Sequence, residues 1–420
     1  MNNLKKASFW NFGGMYFFYF MIWALVLTFL PYWLKNQGHL NTGDSGLVFS
    51  TMALTALILE PIYGVIQDKL GLKKYLFAFV VLCLLFVGPF VQFAFIPLLN
   101  INPIFGAAVG GAFLSLCLNG GVGVVESYIE RSSRANKFEY GHVRLFGSLA
   151  GGTAAFIGGI MFVRNPYSIF WASTCSAIIL GLLLWMVRIK KLDYQKDERV
   201  KDESEYVNKD NILKVFKKKS FWGLCLLIIG SACMYDVFDQ QFPNYFASFF
   251  THKSAGESFF SKVASVQTFL EAGFMVIAPW FVNKVGAKKG LILYGIILFI
   301  RVLGSAFFTD IWMLTVWRLM ASLEMPLMLV SIMKYITGVF DLRLSATVYM
   351  LGFNFAKQVG VTIFSTVMGK LYTNIGFHNS YIFLSIFIIV MVAIGAFLME
   401  NDKTANQTQN IKVKKVIKPL

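Results

Sequence analysis

The stretch YLFAFVVLCLLFVGPFVQFAFIPLL, residues 75–99, contains no charged residue over its 25 positions. A helix needs about 20 apolar residues to cross the hydrocarbon core of a bilayer, so this stretch predicts a membrane-spanning helix. Similar blocks recur throughout the 420 residues, of which 57% are hydrophobic, 16% aromatic and only 14% charged. The mean hydropathy is +0.62. This composition excludes an ordinary soluble fold and predicts an all-α membrane protein.

Outward from this stretch, the apolar blocks predict twelve transmembrane helices joined by polar connectors. The predicted spans are 8–34, 43–66, 75–99, 104–129, 141–163, 167–189, 220–249, 257–282, 289–309, 311–334, 344–371 and 379–399.

One long hydrophilic stretch follows the sixth span and divides the chain into two halves of six spans. A weak internal repeat supports this division, because GVIQDKLGLKK (64–74) after span two is echoed by PWFVNKVGAKK (279–289) after span eight. Two similar halves on a linker are typical of a rocking transporter with its site between the halves. We predict a six-helix bundle at 1–188, a cytoplasmic linker at 189–219, a pseudo-symmetric second bundle at 220–400 and a cytoplasmic tail at 401–420.

The formal charge of +16 comes from Lys and Arg that fall between the apolar blocks rather than on one continuous face. Membrane topology therefore explains these residues better than a nucleic-acid partner does. Most of them belong to alternate connectors, and cytoplasmic loops are the ones enriched in Lys and Arg. We expect a multi-pass protein in the lipid bilayer, with both termini in the cytoplasm.

Several ionisable side chains lie inside the predicted spans. Such a group costs about 2.5–3.5 kcal/mol at mid-span, so it is kept where it faces the bundle interior and has a partner or a function. The signs nearly balance, which indicates ion pairs between helices rather than a conduction pathway lined by one charge. The residues are Glu60, Glu126, Glu130 and Arg144 in the first half, and Asp236, Asp239, Glu271, Arg301, Arg318, Glu324 and Lys357 in the second.

Glu126 and Arg144 form the natural pair of the first half. An Arg fork and a carboxylate in a wet cleft can together hold several hydroxyls of a polyol such as a sugar. The alternative is a structural salt bridge between spans four and five. The placement of the charges leaves both interpretations open.

In the second half, Asp236 and Asp239 are three positions apart and lie on one helical face, where Lys357 and Arg318 can neutralise them. The charge placement favours structural pairing for these four residues, because breaking either pair would leave an unpaired buried charge.

Glu324 lies within the apolar stretch 320–326. A carboxyl among apolar groups holds a proton more readily than one in water, which would make Glu324 a proton carrier near neutral pH. The approach of Arg301 would favour loss of that proton, and such dependence on conformation is what proton coupling requires. The alternative is a neutral carboxyl held by a partner on a neighbouring helix.

No sequence motif predicts an enzyme or a metal site. The chain has no Walker loop, GxSxG or HExxH, and no cluster with metal-ligand spacing. We expect no cofactor other than a proton as the coupling ion.

Five motifs resemble the oligosaccharide:proton symporters of the major facilitator superfamily, and the resemblance covers essentially the whole chain. The turn at 64–74 marks only the superfamily. More specific are VVESYIERSSRANKFEYGHVRLFGS (124–148), YDVFDQQF (235–242), LEMP (323–326) and KYITGVFDLRLSAT (334–347).

The resemblance implies roles for individual residues. The implied substrate-binding residues are Glu126, Arg144, Asn119, Trp23, Phe20, Glu271, Asp236 and Lys357. The implied proton-coupling residues are Glu324, Arg301, Tyr235, Asp239 and Arg318, and the conformational motif consists of Gly64, Asp68, Lys69, Gly71, Lys73 and Lys74.

The chain also departs from the family pattern. The lactose-transporting members carry a Trp and an acidic residue where this chain has Gly151 and Thr268. The span-ten His of the family is replaced by Ala321. Glu271 and Trp23 instead resemble the sucrose permeases. The resemblance therefore implies sucrose or a related fructoside or glucoside, with a galactoside such as lactose, melibiose or raffinose as the alternative.

We thus expect a proton-coupled importer of a disaccharide or small oligosaccharide, working as a monomer in the bacterial cytoplasmic membrane. Two other functions are weighed against it. A proton-driven exporter of the superfamily usually has a Gly-Pro element in span five, whereas 147–160 contains no Pro. A nontransporting sugar sensor would carry a long cytoplasmic signalling domain, whereas the linker and tail here are short.

Overall fold

The computed structural model describes residues 7–70, 72–136, 140–187, 215–340 and 348–402. Within them, eleven helical stretches are long and apolar enough to cross a membrane. The first ten are α1 (Ala7–Asn36), α2 (Thr42–Leu70), α3 (Tyr75–Ile101), α4 (Pro103–Cys117, continuing as Asn119–Asn136), α5 (Tyr140–Arg164), α6 (Ser168–Met186), α7 (Lys219–Asp239), α8 (Lys253–Val285), α9 (Ala287–Phe307) and α10 (Ile311–Val339).

The eleventh stretch, Met350–Leu398, contains two membrane helices. Its 49 residues would form a rod of about 70 Å, far longer than a bilayer core needs. The chain breaks at Gly376, whose φ of 76° and ψ of 170° lie outside the helical region. The break separates α11 (350–375) from α12 (377–398). All twelve predicted spans are therefore present, and the predicted all-helical membrane fold is confirmed.

The seventh span is shorter than its predicted range, 220–249. α7 ends at Asp239, and Phe242–Ala247 forms a separate short helix. Pro243 lies in the first turn of that helix. Proline lacks the N–H that a continuing helix would need, which explains the break.

The predicted linker, 189–219, lies largely outside the described residues, as does the predicted tail, 401–420. The division of the chain into four segments therefore stays a prediction.

Helices α2 and α11, one from each half, pack closely near the start of α2. The Thr42 hydroxyl donates to the carbonyl of Gly369 at 3.0 Å, and a Cβ on Gly369 would lie only 2.5 Å from the Thr42 carbonyl oxygen. One turn further along α2, a Cβ on Gly46 would collide with the carbonyl oxygen of Ser365. Glycine is therefore required at both positions for the backbones to approach this closely.

Helices α5 and α8 form a second close contact between the halves. A Cβ on Gly152 would lie 2.8 Å from the Phe269 ring, and the Ser265 hydroxyl donates to the Gly152 carbonyl at 2.8 Å. Toward the end of α5, a Cβ on Gly159 would overlap the Ser261 side chain. The glycines of α5 thus permit the close helix approach that small residues favour in membranes.

Polar contacts join α1 to the second half at the same end of the molecule. The Asn36 amide donates to Glu257 at 2.6 Å, and the Asn244 amide donates to the carbonyl of Pro31 at 3.1 Å. We call this end, at which α1 finishes and α2 begins, the closed end.

At the opposite end the helices are apart. A Cβ on Gly64 of α2, Gly123 of α4 or Gly273 of α8 would meet no atom within 4 Å. Because the contacts between the halves lie toward the closed end, we infer that the halves enclose a cavity that opens at this end, which we call the open end.

Gly46→Leu should prevent the closed end from sealing, because its side chain would collide with the backbone of α11. In a variant with the native cysteines replaced, we expect the distance between spin labels at Asn41 and Asn374 to lengthen. Gly273→Leu, which meets open space, is the matched control and should leave the distance unchanged. An unchanged distance in Gly46→Leu would contradict the packing described above.

Candidate functional site

An interlocked set of ion pairs lies at the centre of the second half. Arg301 of α9 and Glu324 of α10 have side chains that are 1% and 0% exposed. The Arg301 Nε and Nη2 atoms donate to the two carboxylate oxygens of Glu324 at 2.7 and 2.9 Å. The Arg301 Nη1 atom also donates to Asp239 of α7 at 3.1 Å. The bidentate fork satisfies a charge that would be costly alone at this depth.

Aromatic rings of α7 surround this guanidinium. Its carbon lies 5.0 Å from the centre of the Tyr235 ring and 4.9 Å from that of Phe238, within the range of a cation–π interaction. Asp239 also accepts from Arg318 of α10 at 2.6 Å. The predicted proton-coupling residues thus lie together in one buried cluster.

Asp236 and Lys357 form a separate pair between α7 and α11. The Lys357 ammonium lies 2.7 Å from the Asp236 carboxylate, and the side chains are 20% and 31% exposed, respectively. The pairing expected from the sequence is therefore present. Both side chains are partly exposed, whereas Arg301 and Glu324 are fully buried.

The Glu126–Arg144 pair of the first half is much looser. The Arg144 Nη2 and Glu126 Oε1 atoms are 3.9 Å apart, with side chains 55% and 34% exposed. This distance exceeds that of a hydrogen bond, so hydroxyl groups can enter between the two charges. Tyr16 of α1 donates to Glu126 Oε1 at 3.0 Å and orients the carboxylate.

Aromatic side chains of α1 extend from this pair along one helical face. Phe20 stacks on Tyr16 with ring centres 4.5 Å apart, and Trp23 follows at 6.3 Å from Phe20. Gly147 lets α5 approach, because a Cβ there would lie 2.7 Å from the Tyr16 ring. Such a surface can stack against the apolar face of a sugar ring.

Three other predicted positions are placed around the cavity. Glu271 of α8 is half-buried and makes no hydrogen bond or ion pair within the described residues. Thr268, one turn earlier, has its methyl group 3.4 Å from where a Cβ on Gly151 would lie. Asn119 is half-buried and begins the second segment of α4. The Thr268 hydroxyl donates to the carbonyl of Ala264 at 3.0 Å, whereas the side chains of Glu271 and Asn119 make no hydrogen bond within the described residues and are available to a ligand.

The structure describes most, but not all, of the residues of the conformational motif. Lys74 donates to the carbonyls of Leu184, Trp185 and Val187, and so caps the end of α6. Burial lowers the pKa of the Lys74 ammonium from its usual range. Lys69 and Lys73 are exposed, and Gly64 meets open space. Gly71 and the Asp68 side chain lie outside the described part of the chain.

Sequence reasoning missed three polar residues of the cavity. Tyr16 holds Glu126, Gln358 donates to Glu60 at 3.4 Å, and the Tyr349 phenol lies within electrostatic range of both the Glu126–Arg144 pair and Glu60. The spacing of Tyr16 from Phe20, four positions on one helical face, could have indicated it. Among the described residues, no three His, Cys, Asp or Glu side chains are grouped so as to hold a metal ion.

Solved structures show the same architecture. The nucleoside transporter NupG superposes with a TM-score of 0.77 at 13% identity, covering 94% of this chain and 100% of that one. At this identity the likeness shows the fold alone, which is that of the major facilitator superfamily.

Sequence comparison identifies relatives that are much more similar to this chain than NupG is. Raffinose permease of Escherichia coli is 40% identical over 399 residues, which are 95% of this chain and 94% of that protein. Melibiose permease of Enterobacter cloacae is 38% identical, covering 94% and 93% of the two chains. Sucrose permease of Escherichia coli is 32% identical, covering 95% of each. The family model described as "LacY proton/sugar symporter" matches residues 1–411. The chain therefore belongs to the LacY proton/sugar symporter family, whose members are membrane transporters.

Proposed function

We propose that this symporter imports an oligosaccharide with a proton, and that Glu126 and Arg144 bind the sugar. The observation that carries this proposal is the open geometry of that pair, 3.9 Å apart and partly exposed beside the aromatic face of α1. Every other ion pair named above is closed at 3.1 Å or less. A partly exposed charge pair whose members are held 3.9 Å apart is suited to recognise a polyol. The family match gives no support to an exporter or a nontransporting sensor.

The proposed membrane is the bacterial cytoplasmic membrane, with both termini in the cytoplasm and the protein working as a monomer. α1 runs from the open end to the closed end. With the amino terminus in the cytoplasm, the cavity would open inward, as in the state that releases sugar to the cell. The opposite, outward-open state requires the closed end to separate.

For the substrate, we propose an α-galactoside of two or three rings ahead of sucrose. Glu271 and Trp23 alone favoured sucrose, but the raffinose and melibiose permeases are 40% and 38% identical and the sucrose permease only 32%. Raffinose contains a sucrose unit with an added galactosyl ring, so features shared with sucrose permeases are compatible with it. Gly151 leaves space at this wall that an aromatic side chain would fill.

Adding the transported sugar to deenergised cells should make the medium more alkaline, because each sugar carries a proton inward. We expect this signal with raffinose or melibiose, and a weaker one or none with sucrose, lactose and maltose. Arg144→Ala should abolish it, since the fork that binds the hydroxyls is gone. Sugar uptake without alkalinisation, from protein shown to be in the membrane, would contradict proton coupling.

We propose that Glu324 carries the coupled proton. A carboxylate that accepts two bonds from one guanidinium is in its charged form, so the present arrangement corresponds to the state after proton release. Protonation would remove one acceptor and free Arg301 to pair with Asp239 alone, which already lies 3.1 Å away. Arg301 can thus be paired either with both carboxylates or with Asp239 alone, and the conformation of the protein can favour one pairing over the other.

Glu324→Gln should abolish uphill accumulation and retain exchange of sugar across the membrane, because a neutral amide imitates the protonated carboxyl permanently. Accumulation and exchange of labelled sugar in membrane vesicles separate the two activities. Loss of exchange in a variant that still binds sugar would count against this role.

We propose that the Asp236–Lys357 pair stabilises the fold, in addition to the substrate-binding role that the resemblance implies for both residues. Lys357→Ala should lower the free energy of unfolding by about 2 kcal/mol, because Asp236 loses a charge-assisted hydrogen bond. The double variant Lys357→Ala/Asp236→Ala should recover part of that loss, since no charge remains unpaired. Thermal unfolding of the purified proteins in detergent measures both. A double variant no more stable than the single one would contradict the assignment.

A further inference from the structure

Glu60 is a membrane-embedded carboxylate that the mechanism above does not use. It lies in the middle of α2 and is half-buried. Its Oε1 atom accepts from the Gln358 amide of α11 at 3.4 Å, at the long limit of a hydrogen bond. It forms no ion pair within the described residues. A carboxylate in a span with one weak partner requires an explanation.

The position of this contact follows from the way α2 and α11 diverge. From the closed end, the contacts along α2 run from Thr42 through the hydroxyl pair of Ser50 and Thr366, 2.7 Å apart, to Glu60. One turn further, a Cβ on Gly64 would meet no atom within 4 Å. Glu60 and Gln358 therefore lie where the two helices part, at the inner tip of the cavity.

The neighbours of Glu60 connect it to the proposed sugar pair. The Tyr349 phenol, one residue before α11, lies within electrostatic range of Glu126, Arg144 and Glu60. Lys357 is also within range of Glu60 but is already paired with Asp236 at 2.7 Å. Glu60 and the Glu126–Arg144 pair are therefore both near Tyr349, and Glu60 lies where α2 and α11 part.

We propose that Glu60 and Gln358 form a second hydroxyl-binding subsite, which holds the sugar ring distal to Glu126 and Arg144. A carboxylate accepts from sugar hydroxyls, and an amide both donates and accepts. Their present bond is long, so a sugar that replaces it sacrifices little. Each half supplies one of the two residues, and a ring bound here contacts both halves at once.

This inference rests on the proposed function and makes the substrate class more definite. A site with two hydroxyl-binding subsites selects sugars of two or more rings, because a single ring occupies only the subsite of Glu126 and Arg144. The competing explanation is that Glu60 acts only as a second counter-ion of Lys357. That role would affect sugars of every length equally.

The test compares inhibition constants of methyl α-galactoside, melibiose and raffinose, each measured against uptake of trace labelled melibiose. Glu60→Gln keeps the shape and removes the charge. We expect it to raise the constants of the multi-ring sugars about tenfold, the effect of losing one charge-assisted hydrogen bond. The constant of the one-ring glycoside should stay unchanged. Gln358→Leu should reproduce this pattern if Glu60→Gln does not reach the membrane.

Ser50→Ala is the matched control, because it removes a contact between the same two helices at the closed end, away from the cavity. It should change the three constants by one common factor. An equal change for all three sugars in Glu60→Gln, or no change, overturns the subsite. A wild-type protein that takes up none of these sugars would instead overturn the proposed α-galactoside substrate.

Discussion

The buried contact between Arg301, Glu324 and Asp239 is the constraint on which the second half depends. Full charges at this depth are tolerated only when each has a partner, and here one guanidinium serves two carboxylates from two other helices. α7, α9 and α10 are thereby fixed relative to one another. A change in the protonation of either carboxylate alters all three contacts together, so a proton can act on the positions of helices rather than on one side chain.

The two halves distribute charge differently. In the second half the pairs are closed, whereas in the first half Glu126 and Arg144 are held 3.9 Å apart. Tyr16 contributes to this difference, because it occupies one oxygen of Glu126 and orients the carboxylate toward the cavity. The second half thus holds its paired charges in short contacts, whereas the first half holds Glu126 and Arg144 apart. Coupling between proton and sugar must pass through the contacts that join the halves.

Much of this arrangement could be predicted from the sequence. Helix number follows from the length of apolar blocks, because a bilayer of fixed thickness leaves few alternatives. The pairing of Asp236 with Lys357 follows from the rule that embedded charges have partners, and the family resemblance indicates which residue is the partner of which. The contacts of Tyr16 with Glu126 and of Gln358 with Glu60 could not be predicted, since both depend on how helices from distant parts of the chain rotate against each other. The substrate depends on the shape of the cavity, which hydropathy does not encode.

The closed end explains why the molecule can alternate. Its contacts are made by glycine backbones and by hydroxyl and amide groups, such as Ser50 with Thr366 and Asn36 with Glu257. Hydrogen bonds of this kind between membrane helices contribute about 0.6 kcal/mol each on average. The hydrogen bonds of the closed end together therefore contribute only a few kcal/mol, beside the packing of side chains such as Tyr32 on Phe260. A sugar that contacts both halves, together with one proton, can supply a difference of that size and so move the population from one state to the other.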